Sequence, residues 1–283
     1  MNFQTIGFIG LGLIGGSIAK KIKSIHPAVK IYAGARHKET IEEAYRNGLI
    51  ENSAPLPLSG FHDCDCIFLC APVQKNISCL RELKEIIKKD CIITDVGSTK
   101  TQIHEEIKAL GLEKNFIGGH PMTGSEKTGI QNADAEILKD ACYIITPCSE
   151  TSEADVEDFR KFVQSLGSVP LVMDCKTHDY ATAAVSHLPH MISYTLVNLV
   201  QNADNTQQTM KTIAAGGFKD LTRIASSSPE IWQNICMSNQ SSILSLLDDY
   251  MGLLTVLRGY IDSGNEEALL DFFQKAKDYR DSM

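Results

Sequence analysis

The sequence predicts a two-domain protein in which an α/β domain is followed by an all-α domain. Up to about residue 174, short apolar runs typical of strands alternate with amphipathic or polar stretches typical of helices. From about residue 175 the strand-like runs stop, and apolar residues recur at helical spacing. Strands that are apolar on both faces and alternate with helices indicate a parallel sheet covered by helices. We therefore expect domains at residues 1–174 and 175–283.

Seven segments of the first domain are predicted to be strands because they are short and apolar. In chain order they are TIGFIG, VKIYAGA, CIFLCAP, CIITDVG, NFIGGHP, CYIITP and PLVMD. The second domain contains long apolar segments such as IWQNICMSNQSSILSLLDDYMGLLTVLRGYI. These helices present wider apolar faces than one layer of a small domain would bury, which favours a homodimer interface. A self-contained helical bundle is the alternative.

Composition and charge exclude several classes of protein. The 43% hydrophobic content of the 283 residues suffices for an ordinary buried core. With 27 basic against 35 acidic residues, the net charge of -8 argues against binding to nucleic acid or to an anionic membrane. The N-terminus shows no basic leader and no apolar run approaches ~18 residues, so neither secretion nor membrane insertion is expected.

The cysteines point to a cytoplasmic protein without a metal site. There are nine, and several lie inside apolar runs, as is usual for reduced core thiols. Cys64 and Cys66 form the only close pair, and no matching cysteine or histidine pair follows downstream. A metal site is therefore the weaker interpretation.

The segment FIGLGLIGGSIAKKI predicts a dinucleotide-binding loop. It places Gly10, Gly12 and Gly15 in G-x-G-x-x-G spacing, with Leu13 and Ile14 inside the loop, between an apolar strand and a helix. The first glycine permits a tight turn, the second lets the backbone approach a pyrophosphate, and the third lets the helix pack on the strand. At the start of an alternating β/α chain, the motif indicates a Rossmann-like domain that binds a nicotinamide dinucleotide.

The end of the second strand bears on cofactor choice. An NAD-binding unit places an acidic residue there, about 20 residues after the loop, to bind the ribose 2′-hydroxyl. This chain has Ala35 at that place, followed by Arg36 and His37. A basic pair without a carboxylate favours NADP or dual use. The alternative is that NAD binds and Arg36 stacks on its adenine.

Three further turns should reach the same crevice, because ligands of open α/β sheets bind outside the carboxyl ends of strands. Ala71 and Pro72 end the third strand and are expected to line the cofactor site. Ser98 follows the fourth strand, where it is either a site residue or the N-cap of the next helix. His120 follows the fifth strand, where it is either a general base or a structural histidine.

The helical domain offers a second set of polar side chains. His187 and His190 in AVSHLPH are three residues apart, so they share a helical face that is expected to point into the interdomain cleft. Metal binding by this pair is the weaker alternative. Arg223 in GGFKDLTRIA is suited to a substrate carboxylate, although it is also spaced for a surface pair with Asp220.

The segments GLGLIGGS, DVGSTK, GGHPMTGSEKTG, SHLPH and GGFKDLTRIA, in this order, resemble the prephenate dehydrogenase family, which includes arogenate dehydrogenases. The resemblance extends over roughly residues 5–280. It implies a dinucleotide-binding domain followed by a helical dimerisation domain. It also implies the oxidative decarboxylation of prephenate to 4-hydroxyphenylpyruvate with NAD(P)+, a step of tyrosine synthesis.

The resemblance also implies roles for single residues. His120 would take the proton of the ring hydroxyl as hydride leaves C4, and Ser98 would share that hydroxyl. His190 and Arg223 would hold substrate carboxylates, and Glu126 would lie at the mouth of the site.

His187 would be an orienting partner in this scheme. The chain stops after the helical domain, so tyrosine feedback through a fused regulatory domain is not expected, whereas competition at the active site stays open.

Three other functions compete with this interpretation. An arogenate dehydrogenase would form tyrosine directly. A β-hydroxyacid or 6-phosphogluconate type of dehydrogenase would place a catalytic lysine on the first long helix of the second domain, where this chain has SHLPH. A non-catalytic dinucleotide sensor need not keep Ser98, His120, His190 and Arg223 together.

Overall fold

A computed structural model describes residues 3–124 and 127–283 and contains a seven-stranded sheet followed by helices. The strands are β1 (Thr5–Ile9), β2 (Lys30–Gly34), β3 (Cys66–Leu69), β4 (Ile92–Asp95), β5 (Phe116–Pro121), β6 (Cys142–Pro147) and β7 (Val169–Val172). Their order in the sheet is β2-β1-β3-β4-β5-β6-β7. All seven strands predicted from the sequence are present, so the predicted Rossmann-like α/β domain is confirmed.

Five helices accompany the sheet and seven follow it in the described part of the chain. The helices between the strands are α1 (Leu13–Ile25), α2 (Lys38–Arg46), α3 (Val73–Ile86), α4 (Thr101–Leu110) and α5 (Glu153–Ser165). The later helices are α6 (Cys175–Thr182), α7 (Leu188–Ala203), α8 (Thr209–Ile213), α9 (Gly216–Thr222), α10 (Pro229–Ser238), α11 (Gln240–Asp262) and α12 (Glu266–Asp281). The predicted helical second domain is therefore confirmed as well.

The central strands are buried on both faces, as their uninterrupted apolar sequences predicted. In β3, Phe68 belongs to one core cluster and Ile67 to the other, so successive side chains enter opposite layers. Phe8 of β1 stacks on Phe68, with ring centroids 5.0 Å apart. The sheet is thus a rigid centre whose carboxyl edge presents the loops that follow the strands.

One pair of strands departs from the expected parallel sheet, because β6 runs antiparallel to β5. After Pro121 the chain crosses α1, where the Lys20 ammonium donates to the Ala133 carbonyl at 2.7 Å and the Asp134 amide donates to the Ser17 hydroxyl at 2.9 Å. Within the described part of this connection, only short 3-10 turns are formed. Without a helix to carry the chain across the sheet, β6 starts at the carboxyl edge and returns antiparallel.

The helical domain begins with a nearly continuous helix that is interrupted by a π turn at Ala183–His187. There the Leu188 amide donates to the Ala183 carbonyl, five residues earlier. Pro189 follows at once and has no amide hydrogen to continue the regular pattern, so a wider turn relieves the clash of its ring with the preceding turn. No helix in residues 3–124 or 127–283 is long and apolar enough to cross a membrane. All nine cysteines are free thiols.

Candidate active site

The glycine loop has the geometry that its spacing predicted. Gly10 has a φ of 92°, in the region that favours glycine, and a Cβ there would lie 2.8 Å from the Ala71 amide nitrogen. A Cβ on Gly15 would lie 2.8 Å from the Gly10 carbonyl oxygen. At Gly12, by contrast, a Cβ would meet no atom of the described residues within 4 Å. The backbone at Gly12 therefore borders open space at the start of α1, where a pyrophosphate fits.

A cavity of about 870 Å³ lies between this loop, the ends of the sheet strands and the helical domain. The predicted site residues that line it are Gly12, Leu13, Ile14, Gly15, Ala71, Pro72, Ser98, His120, His187, His190 and Arg223. Gly10 is not in the cavity wall but allows the turn of the loop through its positive φ. Glu126 lies outside the described residues. The structure therefore brings both predicted groups of polar side chains, from the sheet and from the helical domain, to one space.

Arg36 and His37 are not part of the cavity wall but lie exposed at the end of β2. The Gly10 amide donates to the Gly34 carbonyl at 2.8 Å, so this end of β2 is adjacent to the glycine loop. In such a fold the end of β2 is where the ribose of the adenosine half is bound. Their position is thus consistent with contact to a dinucleotide beyond the cavity.

The turn after β4 places Ser98 in the cavity wall, and α4 begins only at Thr101. The alternative that Ser98 is the N-cap of this helix is therefore wrong. Instead, the carboxylate of Asp179 from the helical domain accepts from the Lys100 amide at 2.7 Å and from the Thr101 amide at 2.8 Å. The start of α4 is capped from the other domain, which fixes how the two domains dock.

Beneath the turn, Asp95 and Lys100 form a fully buried ion pair. The Asp95 carboxylate also accepts from the Gly97 amide at 2.9 Å and from the Gly119 amide at 3.2 Å. Burial lowers the pKa of the Lys100 ammonium, and the adjacent Asp95 opposes that effect. Because Gly119 immediately precedes His120, this carboxylate ties the turn of Ser98 to the strand that carries the histidine.

His120 is buried at the end of β5 and contacts a second histidine. Its Nδ1 lies 2.8 Å from Nε2 of His178, and Nδ1 of His178 lies 2.8 Å from a carboxylate oxygen of Asp179. Burial lowers the pKa of His120 well below its ordinary value, and the nearby Lys100 cation lowers it further. His120 is therefore neutral near pH 7, as a proton acceptor must be.

The Asp179 carboxylate remains ionised in this buried cluster. Burial acts to raise its pKa, but hydrogen bonds from His178, Thr101 and Lys100 outweigh that effect, so the pKa is lowered overall. Sequence reasoning missed His178 and Asp179, which lie in the middle of α6. The only signal was an adjacent histidine and aspartate at the start of the helical domain.

His187 and His190 both line the cavity, as their shared helical face predicted. Nδ1 of His187 accepts from the Asn239 amide group at 3.2 Å, and burial lowers the pKa of His187 to about 4. Nδ1 of His190 donates to the Ser186 carbonyl at 3.0 Å. The ring of His190 stacks on Trp232, with centroids 3.5 Å apart, a contact that the sequence did not suggest.

Arg223 lines the cavity at the junction between α9 and a 3-10 turn. The described wall contains a further cation, Lys127, which sequence reasoning did not select. Two full positive charges at a cavity wall suit an anionic ligand in a protein whose net charge is negative. Arg223 therefore suits the helical side of the cavity to binding, Lys127 adds a cation from the connection after β5, and His120 suits the sheet side to proton transfer.

Comparison with known proteins identifies the family. The family model for the nucleotide-binding domain of prephenate dehydrogenase matches residues 18–172, and the model for its dimerization domain matches residues 174–275. The prephenate dehydrogenase of Bacillus subtilis is 36% identical over 282 residues, which are 99% of this chain and 76% of that protein.

Two solved structures resemble the whole chain. Prephenate dehydrogenase from A. aeolicus, in complex with hydroxyphenyl propionate and NAD+, superimposes with a TM-score of 0.94 at 28% identity, covering 100% of this chain and 99% of that chain. Synechocystis arogenate dehydrogenase superimposes with a TM-score of 0.85 at 30% identity, covering 98% of this chain and 99% of that one. The two matching domain models and these full-length similarities show that the chain belongs to the prephenate dehydrogenase family.

Proposed function

We propose that this protein converts prephenate to 4-hydroxyphenylpyruvate by oxidative decarboxylation, with NAD(P)+ as the hydride acceptor, as a step of tyrosine synthesis. One observation carries the proposal: a single cavity joins the open backbone at Gly12, the imidazole of His120, whose pKa is lowered by burial, and the guanidinium of Arg223. The similarity to prephenate dehydrogenases of B. subtilis and A. aeolicus supports it.

The cofactor fits the glycine loop, where the backbone at Gly12 leaves room for a pyrophosphate and Leu13, Ile14 and Gly15 form the start of α1. Ala71 and Pro72 would line the cofactor site at the end of β3. When bound, the nicotinamide supplies the acceptor for the hydride that leaves C4 of the substrate.

His120 acts on the hydroxyl at C4. As C4 is oxidised, the hydroxyl proton passes to the unprotonated Nε2 of His120, and Ser98 donates a hydrogen bond to the same oxygen. The bond from C1 to its carboxylate then breaks, its electron pair aromatises the ring, and the proton returns to the oxygen. Loss of CO2 makes the reaction effectively irreversible.

Arg223 and His190 hold the substrate carboxylates in this scheme. The planar guanidinium of Arg223 matches a carboxylate with two parallel hydrogen bonds. His187 keeps its place through Asn239 and orients the neighbouring groups. Glu126, which lies outside the described residues, is proposed on the family resemblance alone to lie at the mouth of the site.

Arogenate is the second candidate substrate, because the similar Synechocystis protein is an arogenate dehydrogenase. The test is a steady-state assay of the purified protein with prephenate or arogenate, each with NAD+ or NADP+. Activity with prephenate at a kcat/KM at least tenfold above that with arogenate is the expected result. The proposal fails if neither substrate supports reduction of either cofactor.

We further propose that the cofactor site accepts NADP or both cofactors, since Ala35 holds the place of the carboxylate that would exclude a 2′-phosphate and the basic Arg36 and His37 follow it. In the same assay, Arg36→Ala should raise the KM for NADP+ about tenfold and leave that for NAD+ nearly unchanged, as expected for the loss of one phosphate contact. An equal rise for both cofactors would support adenine stacking instead.

A homodimer is proposed from the helices α11 and α12, whose large apolar side chains are exposed. They include Leu244, Met251, Leu253, Leu254, Ile261, Leu270 and Phe273. So much apolar surface favours burial against a second copy, and the matching family model describes a dimerization domain. Sedimentation equilibrium should give twice the chain mass.

We also propose that the domain boundary lies between residues 174 and 175. The nine free thiols favour the cytoplasm.

A further inference from the structure

A hydrogen-bonded chain of side chains connects the helical domain to His120, the proposed general base in the sheet domain. It runs from the Asp179 carboxylate through His178 to His120, with both links at 2.8 Å. Relative exposures of 2% for Asp179, 0% for His178 and 9% for His120 keep the chain out of water. We propose that His178 and Asp179 are positioning residues that hold His120 in the one neutral tautomer able to accept the substrate proton, an inference that rests on the proposed function.

The tautomer follows from the order of donors and acceptors. A carboxylate only accepts, so Nδ1 of His178 donates to Asp179 and the Nε2 of a neutral His178 carries a lone pair. That lone pair accepts the Nδ1 hydrogen of His120. A neutral His120 is then left with its lone pair on Nε2, while its ring lines the cavity. Without the chain, either nitrogen of His120 could carry the hydrogen.

The same chain stabilises the charge that proton transfer creates. When His120 accepts the proton of the C4 hydroxyl on Nε2, its Nδ1 hydrogen stays bonded to His178, and the Asp179 carboxylate balances the positive ring through His178. The other charged or titratable groups around His120 are Lys100 and His187, both of which disfavour its protonated form. The carboxylate therefore offsets an environment that otherwise opposes proton uptake.

These hydrogen bonds also make the position of His120 depend on the docking of the two domains. Asp179 accepts from the Lys100 and Thr101 amides of α4 while it accepts from His178. Separation of the domains would break the cap of α4 and the support of His120 together. His120 is therefore held in position only when the helical wall, which is proposed to bind the substrate, is docked against the sheet domain.

Two variants separate the positioning role from simple packing. His178→Leu keeps an apolar side chain of similar size but removes the acceptor for His120, whereas His178→Gln supplies an amide oxygen that still accepts. We expect kcat to fall about 100-fold for the leucine variant, less than the roughly 10⁴-fold fall that follows a change of the orienting aspartate in a Ser-His-Asp triad. We expect about a tenfold fall for the glutamine variant, with the KM for prephenate changed less than threefold in both.

The direct readout is the tautomer of His120, from ¹⁵N NMR of the histidine rings in the full chain without substrate. We expect a hydrogen on Nδ1 in the wild type and in His178→Gln, and a shift toward the Nε2-protonated form in His178→Leu. This measurement needs no turnover, so it stands even if the wild type proves inactive on prephenate and arogenate, an outcome that would refute only the proposed function.

His104→Gln is the matched control, since His104 is a partly buried histidine with a hydrogen bond, at 2.9 Å to Thr146, outside the cavity. Its kcat should stay within about threefold of the wild type even if its melting temperature falls. The proposal is overturned if the wild type carries the hydrogen on Nε2 of His120, or if His178→Leu retains wild-type kcat. Should the leucine variant not fold, an Nε2-protonated His120 in His178→Gln would overturn it equally.

Discussion

The two walls of the cavity differ in how firmly their polar side chains are held. On the sheet wall, His120 is 9% exposed and is locked to His178, and the adjacent turn is tied down by the buried Asp95. On the helical wall, His190 is only partly buried. The sheet wall provides a dry site of low dielectric constant, where the position of one proton can be controlled, whereas the helical wall around His190 is partly exposed to water, although His187 on that wall is buried.

The pKa values of His120, on the sheet wall, and His190, on the helical wall, are both lowered but to different degrees. Burial lowers the pKa of His120 well below 6.5, with Lys100 adding to the effect. The pKa of His190 is also lowered by burial and by Arg223, but its bond to the Ser186 carbonyl opposes the change. The sheet wall should therefore determine kcat and the helical wall KM. Three predictions test that division.

The largest effect is expected at the sheet wall, from His120→Asn. Removing the base should lower kcat about 1000-fold, within the range that general base catalysis contributes, while the KM for prephenate changes less than threefold. The depressed pKa of His120 keeps the neutral, active form present below pH 6.5, so the acid limb of the wild-type kcat profile should lie below that pH. Steady-state kinetics from pH 5 to 9 measure both, with pH values chosen to bracket the ordinary histidine pKa of about 6.5.

The exposed His62 offers a control, because it contacts Ser59 and Asp63 of its own turn and lies outside the cavity. His62→Asn should behave like the wild type. If His120→Asn instead raised KM strongly and left kcat unchanged, the assignment of chemistry to the sheet wall would be wrong.

A smaller effect, mainly on KM, is expected at the helical wall from Arg223→Ala. Loss of a guanidinium that binds a carboxylate should raise the KM for prephenate about 100-fold, which corresponds to ~3 kcal/mol, and change kcat less than fivefold. Arg223→Lys keeps the charge but not the planar fork, so it should recover only part of the loss. Arg160→Ala, which removes an exposed arginine paired with Glu157 on α5, serves as the control. A fall in kcat at constant KM would remove the distinction between the walls.

The sequence was sufficient for the parts of the molecule that depend on local patterns. The alternation of apolar runs predicted all seven strands, and the glycine spacing predicted a loop that the φ of Gly10 and the close approach at Gly15 bear out. The reversal of β6 was not predictable, because it depends on how the connection around Ala133 and Asp134 packs on α1 rather than on the composition of the strand itself.

Long-range contacts explain what the sequence did not reveal in the site. Asp179 caps a helix start 78 residues earlier in the chain, and His178 contacts a ring 58 residues away. No periodicity encodes such pairs. By contrast, His187 and His190 are three residues apart on one helix, so their common direction followed from helical geometry alone.

The smallest expected effect is a dependence of the KM for prephenate on pH, caused by the titration of His190 on the helical wall. Because Nδ1 donates to the Ser186 carbonyl, a neutral His190 has only a lone pair on Nε2 and has no hydrogen to donate to a substrate carboxylate there. Its pKa is lowered in the free protein, so it is mostly neutral near pH 7. A bound carboxylate favours the protonated form, and binding therefore takes up a proton and weakens as pH rises through the pKa of the complex.

The KM for prephenate should accordingly increase about three- to tenfold between about pH 6 and pH 8 in the wild type, while kcat over that range follows His120. His190→Gln donates a hydrogen bond at every pH, so its KM should be nearly independent of pH and lie between the two wild-type limits. The measurement is KM at half-unit pH steps for both proteins at saturating cofactor. A wild-type KM that stays flat, or the same slope in His190→Gln, would mean that Arg223 alone sets the affinity of the helical wall.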